Sequence, residues 1–198
     1  MNFIFLTRCY SPKNIGTIKE NIKSTFNGTM HTYKHLIVVD LTHESSRNQY
    51  LEFTDNNTIL YFIKNKAKID TQNTFGMDAS LALINGYYYV YVLDDDNILH
   101  PDFLNVCSEI NDEDAVVFKI EGKENLGNPS IFNYNTPVGH IDWSNFIFKL
   151  NVAKRLKIGD DKGTRCEDGL FFKKLIDNKC SIKFIDNIYA YYNKLPRN

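Results

Sequence analysis

The sequence predicts an α/β fold with a mainly parallel central sheet flanked by helices. Short apolar runs rich in β-forming residues alternate with helical patterns through the first half of the chain, as in strand–helix–strand units. The run at residues 35–40 has a continuous apolar centre, which indicates a strand that is covered on both faces. A chain of 198 residues, 43% of them hydrophobic, can bury such a core as one domain over residues 1–198.

Strands and helices are predicted in turn along the first half. The strands are residues 3–7, 35–40, 58–63 and 87–93, and the helices are residues 14–26 and 76–85. The second helix carries Met77, Leu81 and Ile84 at helical spacing and ends at an Asn-Gly pair, which suits a helix C-terminus. The fourth strand runs directly into three aspartates, and Pro101 then starts a further helix.

The alternation weakens in the second half, where a smaller subdomain is predicted. Strands are expected at residues 115–120, 146–150 and 181–185. A helix is expected to open at Cys166, with Leu170, Phe171 and Leu175 facing inward. The predicted organisation is therefore one domain whose two halves divide at about residue 100.

Charge and cysteine content exclude several classes of protein. Lys and Arg number 23 and Asp and Glu 24, which argues against a nucleic-acid binder that relies on bulk positive charge. The four cysteines lie far apart without a Cys-x-x-Cys pair, so neither a zinc site nor a redox dithiol is indicated. The N-terminal apolar run is too short for a signal peptide or a membrane span. We therefore expect reduced thiols, no transmembrane segment and a cytoplasmic location.

Three consecutive carboxylates, Asp94, Asp95 and Asp96, follow the apolar strand at 87–93. In open α/β sheets the ligand crevice lies outside the carboxyl ends of the strands, where this cluster is expected. Close carboxylates repel each other unless a cation neutralises them, and Mg²⁺ is commonly held by one or two carboxylates and substrate phosphates. The alternative is a polar turn in which one aspartate caps the helix at Pro101.

A second acidic pair, Glu167 and Asp168, stands at the start of the helix that opens at Cys166. Carboxylates in a first helical turn are stabilised by the helix dipole, so helix capping alone explains them. Their occurrence together with the aspartate cluster favours a chemical role, because a metal-bound donor still needs a base to deprotonate its acceptor hydroxyl.

In this order and spacing, the motifs resemble those of GT-A-type glycosyltransferases of the family 2 kind. The resemblance rests on a first strand ending in Thr7-Arg8, a second ending in Asp40, a helix start at Gly76, the Asp-x-Asp of VYVLDDDN and the later Glu-Asp pair. The string DDDN is also similar to the metal motif of glucuronyltransferase-like enzymes. The resemblance covers nearly the whole chain and implies a Rossmann-like GT-A domain. Its first half would bind a nucleotide-sugar, and its second half would bind the acceptor and supply the catalytic base.

The resemblance implies a metal-dependent transfer of a sugar from a nucleotide diphosphate to a hydroxyl of a glycan or other acceptor. A UDP-sugar is the expected donor, Mn²⁺ or Mg²⁺ the expected cofactor, and inversion of the anomeric configuration the expected outcome. The alternatives are a sugar-phosphate nucleotidyltransferase and a non-catalytic domain of this fold that binds nucleotide or glycan. The sequence predicts no particular oligomeric state.

The resemblance also implies roles for single residues. Asp40 would accept hydrogen bonds from the nucleobase, and Asp94 would lie near the ribose or the metal. Asp96 would be the direct metal ligand, and Asp168, or its neighbour Glu167, would be the catalytic base. Further donor contacts are expected from three residues at or just after strand ends, Thr7, Arg8 and Asp95.

Weaker candidates lie elsewhere in the sequence. His140, Asp142 and Trp143 stand between the two acidic motifs, where an acceptor wall would belong, and the indole ring could stack on a sugar. The alternative for Trp143 is a position in the core. Asp78 stands where the family has an Arg-Asn pair, and Arg165 is a further candidate for the diphosphate.

Overall fold

The computed structural model describes residues 1–9, 12–40, 47–63, 72–123, 125–128, 130, 132–159 and 166–196. The strands in these residues are β1 (Asn2–Cys9), β2 (Thr32–Asp40), β3 (Thr58–Ile63), β4 (Tyr89–Val92), β5 (Ile98–Leu99), β6 (Ala115–Glu121), β7 (Phe146–Lys149) and β8 (Ile182–Tyr191). All eight belong to one sheet, in the order β3-β2-β1-β4-β7-β6-β8-β5.

The helices that the structure describes surround this sheet. They are α1 (Ile15–Phe26), α2 (Arg47–Leu51), α3 (Gln72–Ala82), α4 (Val106–Glu109), α5 (Leu150–Leu156) and α6 (Glu167–Asp177). α1 forms where four apolar residues recur at helical spacing, and all four are buried. None of these helices has the length and apolar character that a bilayer crossing requires.

The first half of the sheet is parallel. β1 lies between β2 and β4, and β2 pairs with β3, all in one direction. β7 pairs antiparallel with both β4 and β6, and β6 pairs parallel with β8. The α/β class predicted from the sequence is therefore confirmed, and every antiparallel pair includes a strand from the second half.

Both faces of the sheet are covered. Ile4 and Leu6 belong to a core shared with α3, α5 and α6, whereas Phe3 and Phe5 point to an aromatic core shared with α1 and the segment around Phe103. Successive residues of a strand point to opposite faces, so β1 contributes to both cores at once. This explains why the sequence of β1 is apolar without alternation.

Several elements differ from the sequence prediction. The helix expected from Pro101 is a 3₁₀ turn followed by the short α4, because the backbone becomes extended at Ile110 and Asp112 takes a positive φ of 72°. α3 spans Gln72–Ala82 instead of 76–85, and the last strand continues to Tyr191 instead of ending at residue 185. The sequence patterns predict neither α2, α5 nor β5.

The topology gathers the carboxyl ends of β1, β2 and β4 at one edge of the sheet. The Leu93 amide donates a hydrogen bond to the Leu6 carbonyl at 2.9 Å, which keeps β4 beside β1 up to the start of the aspartate cluster. The first turn of α6 reaches the same edge, since the Glu167 carboxylate lies 4.0 Å from the Arg8 guanidinium. The two acidic motifs therefore meet in space.

Candidate active site

Residues 94–97 form a tight turn directly after β4. The Asn97 amide donates a hydrogen bond to the Asp94 carbonyl at 3.1 Å, which closes the turn before β5. Asp and Asn favour such turns because their short side chains bond to nearby backbone groups. The Asp96 side chain is held beneath the surface, and the residue is 8% exposed. The positions of these carboxylates therefore follow from the geometry of the turn and not from the alternation of side chains along a strand.

Arg8 pairs with Asp94 beside this turn. Its Nε and Nη2 groups donate three hydrogen bonds to the two carboxylate oxygens of Asp94, at 2.7 to 2.9 Å. The Nη1 atom of the same guanidinium lies 4.0 Å from Glu167 Oε2. Because a guanidinium presents its donors in a fixed planar fork, this arrangement defines the relative position of the turn and the start of α6.

The pKa of Asp94 is raised. Loss of water around the carboxyl is the main cause, and the negative charges of Asp142 and Asp96 act in the same direction. The charge and hydrogen bonds of Arg8 oppose the rise. Arg8 contacts both carboxylate oxygens in this conformation, and the role of Asp94 near the ribose or the metal stays a prediction.

Asp168 lies in the first turn of α6. Burial raises its pKa to about 6, and the Asp142 and Asp94 charges contribute to the rise, while the Gly169 amide and Arg8 oppose it. The Gly169 amide donates to Asp168 Oδ1 at 2.7 Å. A carboxylate with a pKa near 6 is mostly ionised at about pH 7 and is a stronger base than an ordinary aspartate. A carboxyl group with this pKa can take up or release a proton near neutral pH.

A cleft of about 570 Å³ opens beside Asp168. Its walls also include Lys123, Val138 and Asp142. α6 approaches the Val138 backbone very closely at Gly169, where a Cβ atom would lie 2.7 Å from the Val138 Cα. The volume is in the range of small-molecule binding sites. The cleft therefore has room for a small molecule beside Asp168.

Lys123 is a cleft residue that sequence patterns do not reveal. Its Nζ lies 3.6 Å from the centre of the Tyr192 ring and 3.4 Å from Asp142 Oδ2. Burial lowers the pKa of Lys123, but the contacts with Tyr192 and Asp142 outweigh burial, so the pKa is raised. Lys123 therefore places a positive charge beside the Asp142 carboxylate in the cleft. The only sequence signal is its place just after a strand.

Three predicted site residues do not line this cleft. Thr7 is completely buried, and its hydroxyl oxygen lies 2.9 Å from Nε2 of His35 on β2, which does not fit a contact with the donor. Trp143 is 3% exposed and packs against three phenylalanine rings whose centres lie 5.6 to 6.4 Å away, which does not fit stacking on a sugar. His140 is half-buried, and its ring meets a phenylalanine edge-on.

Two further predicted acids have structural partners. Asp142 lines the cleft, and its carboxylate also caps the following 3₁₀ turn by accepting a hydrogen bond from the Ser144 amide at 3.0 Å. Asp78 accepts hydrogen bonds from two backbone amides after α5, at 2.8 and 3.0 Å. Asp78 therefore anchors that segment, and this does not fit a role in donor binding.

The structure describes only some of the remaining residues that were predicted to contact the donor. Asp40 is the last residue of β2, but its side chain, like the whole of Arg165, lies outside the described residues. Asp95 belongs to the 94–97 turn, and its carbonyl accepts a hydrogen bond from the Asn14 side chain at 2.8 Å.

In the part of the chain that the structure describes, no group of three or more His, Cys, Asp or Glu side chains is arranged to hold a metal ion. Mg²⁺ and similar ions need no such group when one or two carboxylates and substrate phosphates complete the ligand set. Asp96, which is 8% exposed in the turn at the carboxyl ends of the parallel strands, would be the residue to hold such an ion.

Solved structures match this architecture over nearly the whole chain. Mannosyltransferase PcManGT from Pyrobaculum calidifontis, in complex with GDP-Man and Mn²⁺, has a TM-score of 0.67 and 12% identity, covering 99% of this chain and 58% of that one. The fold of this chain is therefore similar to that of a mannosyltransferase. S. aureus TarS 1-349 in complex with UDP-GlcNAc is similar with a TM-score of 0.70 and 18% identity, and the match covers 100% of this chain and 59% of that one. HddC from Yersinia pseudotuberculosis is similar with a TM-score of 0.56 and 10% identity, and the match covers 98% of this chain and 94% of that one.

The TM-scores show that the folds are alike, and the predicted α/β architecture, a central sheet flanked by helices, is confirmed. The chain spans less than two thirds of the length of the TarS and PcManGT chains that it matches. No protein-family model matches the sequence, and no curated protein matches it either.

Proposed function

We propose that the chain is a nucleotide-sugar-dependent glycosyltransferase that inverts the configuration of the transferred sugar. The observation that carries the proposal is the meeting of two acidic motifs at one guanidinium. Arg8 binds Asp94 of the first motif through three hydrogen bonds and lies 4.0 Å from Glu167 of the second. Sugar transfer needs a diphosphate site and a base on opposite sides of one reacting carbon, and these motifs supply both kinds of group.

The donor is proposed to bind along the sheet edge at the 94–97 turn. The structures of TarS and PcManGT contain UDP-GlcNAc and GDP-Man, which supports a nucleoside diphosphate sugar as the ligand of this fold. We propose a UDP-sugar for this chain, with the base near Asp40 at the end of β2. Arg8 would place its positive charge next to the diphosphate while it keeps Asp94 in position.

Mn²⁺ or Mg²⁺ is the proposed cofactor, held by Asp96 and by phosphate oxygens of the donor. The Mn²⁺ in the PcManGT structure supports this assignment. When bound, such an ion offsets the negative charge that develops on the leaving diphosphate. The role of the chain is to keep the Asp96 carboxyl in a fixed turn, so that the carboxylate need not reorganise during the reaction.

Asp168 is the proposed base. It lines the cleft in which an acceptor hydroxyl would bind, whereas Glu167 is buried and faces Arg8, so the geometry favours Asp168 over Glu167. A pKa near 6 leaves Asp168 ionised at about pH 7 and able to take the acceptor proton. The hydroxyl oxygen then attacks the anomeric carbon from the side opposite the diphosphate, which gives inversion.

Calorimetry tests the donor site. We expect UDP to bind in the presence of Mn²⁺ and not in excess chelator, and Asp96→Ala to lose this binding. The matched control is Asp102→Ala, since Asp102 is 63% exposed and lies beyond the turn. Equal UDP affinity with and without Mn²⁺, or normal binding by Asp96→Ala, would contradict the metal assignment.

A turnover assay tests the class of reaction. NMR of the product from a UDP-sugar and a panel of hydroxyl acceptors should show the inverted anomer together with release of UDP. Synthesis of a nucleotide-sugar from UTP and a sugar 1-phosphate would indicate a nucleotidyltransferase instead. Donor binding without any turnover or hydrolysis would indicate a non-catalytic domain.

A further inference from the structure

The 193–196 segment, which follows β8, lies directly against the 94–97 turn. The Leu195 amide donates a hydrogen bond to the Asp96 carbonyl at 2.9 Å, and the Asn193 amide donates to the Asn97 side-chain oxygen at 2.8 Å. The turn thus has backbone partners that come from the far end of the described chain. A loop that is stabilised by residues remote in sequence can change conformation when those hydrogen bonds break.

Asn14 joins the same two parts of the chain. It lies just before α1 and is 5% exposed. Its side-chain NH₂ group donates to the Asp95 carbonyl at 2.8 Å and to the Pro196 carbonyl at 3.0 Å. An amide NH₂ carries two hydrogens, so both bonds can form at once. One side chain therefore satisfies both carbonyls and fixes the distance between the turn and the 193–196 segment.

Asn97 extends this arrangement to a third part of the chain. It is completely buried, and its side-chain NH₂ donates to the Ser144 hydroxyl while its oxygen accepts from Asn193. The turn is consequently tied to the start of α1, to the segment after β8 and to the 3₁₀ turn capped by Asp142. None of these hydrogen bonds uses a carboxylate oxygen of the turn.

We propose that Asn14 is a positioning residue whose two hydrogen bonds, together with the Leu195 amide, hold the 94–97 turn in the conformation that binds a metal–nucleotide complex. This inference rests on the proposed function. The role of Asn14 is indirect, because it contacts only carbonyl oxygens behind the turn. Its loss should weaken donor and metal binding more than it slows the transfer of bound sugar.

The expected size follows from a shift in population. If the turn keeps its binding shape in about one tenth of the molecules once Asn14 is removed, the apparent dissociation constant rises about tenfold. The two hydrogen bonds that are lost contribute enough stability for such a shift. The KM for the donor should rise to a similar extent, with a smaller change in kcat.

The experiment compares Asn14→Ala with Asn21→Ala. Asn21 lies on α1 and also makes two side-chain hydrogen bonds to backbone, but both go to Leu99 on β5 and none to the turn. Binding of Mn²⁺ in the presence of UDP is followed by electron paramagnetic resonance, and melting temperatures are measured without ligand. We expect about tenfold weaker binding for Asn14→Ala and a change below about twofold for Asn21→Ala.

A second variant guards against loss of folding. Leu195→Pro removes the amide that donates to Asp96 and leaves Asn14 intact, so it should weaken Mn²⁺–UDP binding in the same way. Unchanged binding by the folded variants, with only lower melting temperatures, would overturn the inference while the proposed function stands. No binding of Mn²⁺ and UDP by the unaltered chain would overturn the proposed function and this inference with it.

Discussion

Replacing Asp168 with asparagine is expected to stabilise the folded protein at neutral and alkaline pH. Burial raises the pKa of this carboxyl from its ordinary value of 3.8 to about 6. The folded state therefore holds the proton more tightly than the unfolded chain does, and stability falls as the pH rises from about 4 through 6. Above that range the ionised carboxylate makes folding about 3 kcal/mol less favourable. Asparagine has nearly the same size, can still accept the Gly169 hydrogen bond and carries no charge to bury.

Urea unfolding at several pH values measures this effect. The free energy of unfolding of Asp168→Asn should exceed that of the unaltered chain by about 2 to 3 kcal/mol at about pH 8, and by less than about 1 kcal/mol at about pH 4. Asp177→Asn is the matched control, because Asp177 lies at the other end of α6 and its side chain is 56% exposed. A gain for Asp168→Asn that does not grow with pH, or that Asp177→Asn reproduces, would refute the reasoning.

Other variants test the same site. The transfer rate should fall below about pH 6, and Asp142→Asn should move this limb to lower pH, because the Asp142 charge raises the pKa of Asp168. Arg8→Met should move the limb to higher pH, because Arg8 lowers that pKa; pH–rate profiles that shift the other way would contradict the assignment of the base. Gly169→Ala should lower stability by about 1 to 3 kcal/mol, because its Cβ would lie 2.7 Å from backbone. In Gly16→Ala the added Cβ would lie 3.7 Å from its nearest contact and inside a helix, so this variant should raise stability by up to about 1 kcal/mol. A higher urea midpoint for Gly169→Ala than for Gly16→Ala would be inconsistent with the close approach of α6 to Val138.

The elements with a clear period were predictable from the sequence. Apolar runs without alternation predicted β1 and β2, and the spacing of apolar residues predicted α1 and α6. β5 has two residues, too few to show any period. α5 begins at Leu150 without a side-chain cap, so no helix-start signal separates it from β7.

Residues of the candidate site were predictable where the carboxyl group lies at the end of a single strand or helix. The sequence placed Asp96 and Asp168 at such ends, and the structure brings their two motifs together around Arg8. The sequence could not reveal that the Arg8 guanidinium binds the Asp94 carboxylate, because this pairing depends on the register of β1 against β4. Lys123 was missed because its partners, Asp142 and Tyr192, come from two remote segments.

The edge strand β5 has a consequence for the order in which the chain folds. Among the described strands β5 pairs only with β8, so that Ile98 faces Tyr191 across a long stretch of intervening sequence. A growing chain can form the parallel strands β1 to β4 early, since their partners are made first. The segment after the aspartates must wait for its partner until β8 has left the ribosome. During synthesis, pairing among β1, β2 and β3 can therefore precede the pairing of β5 with β8.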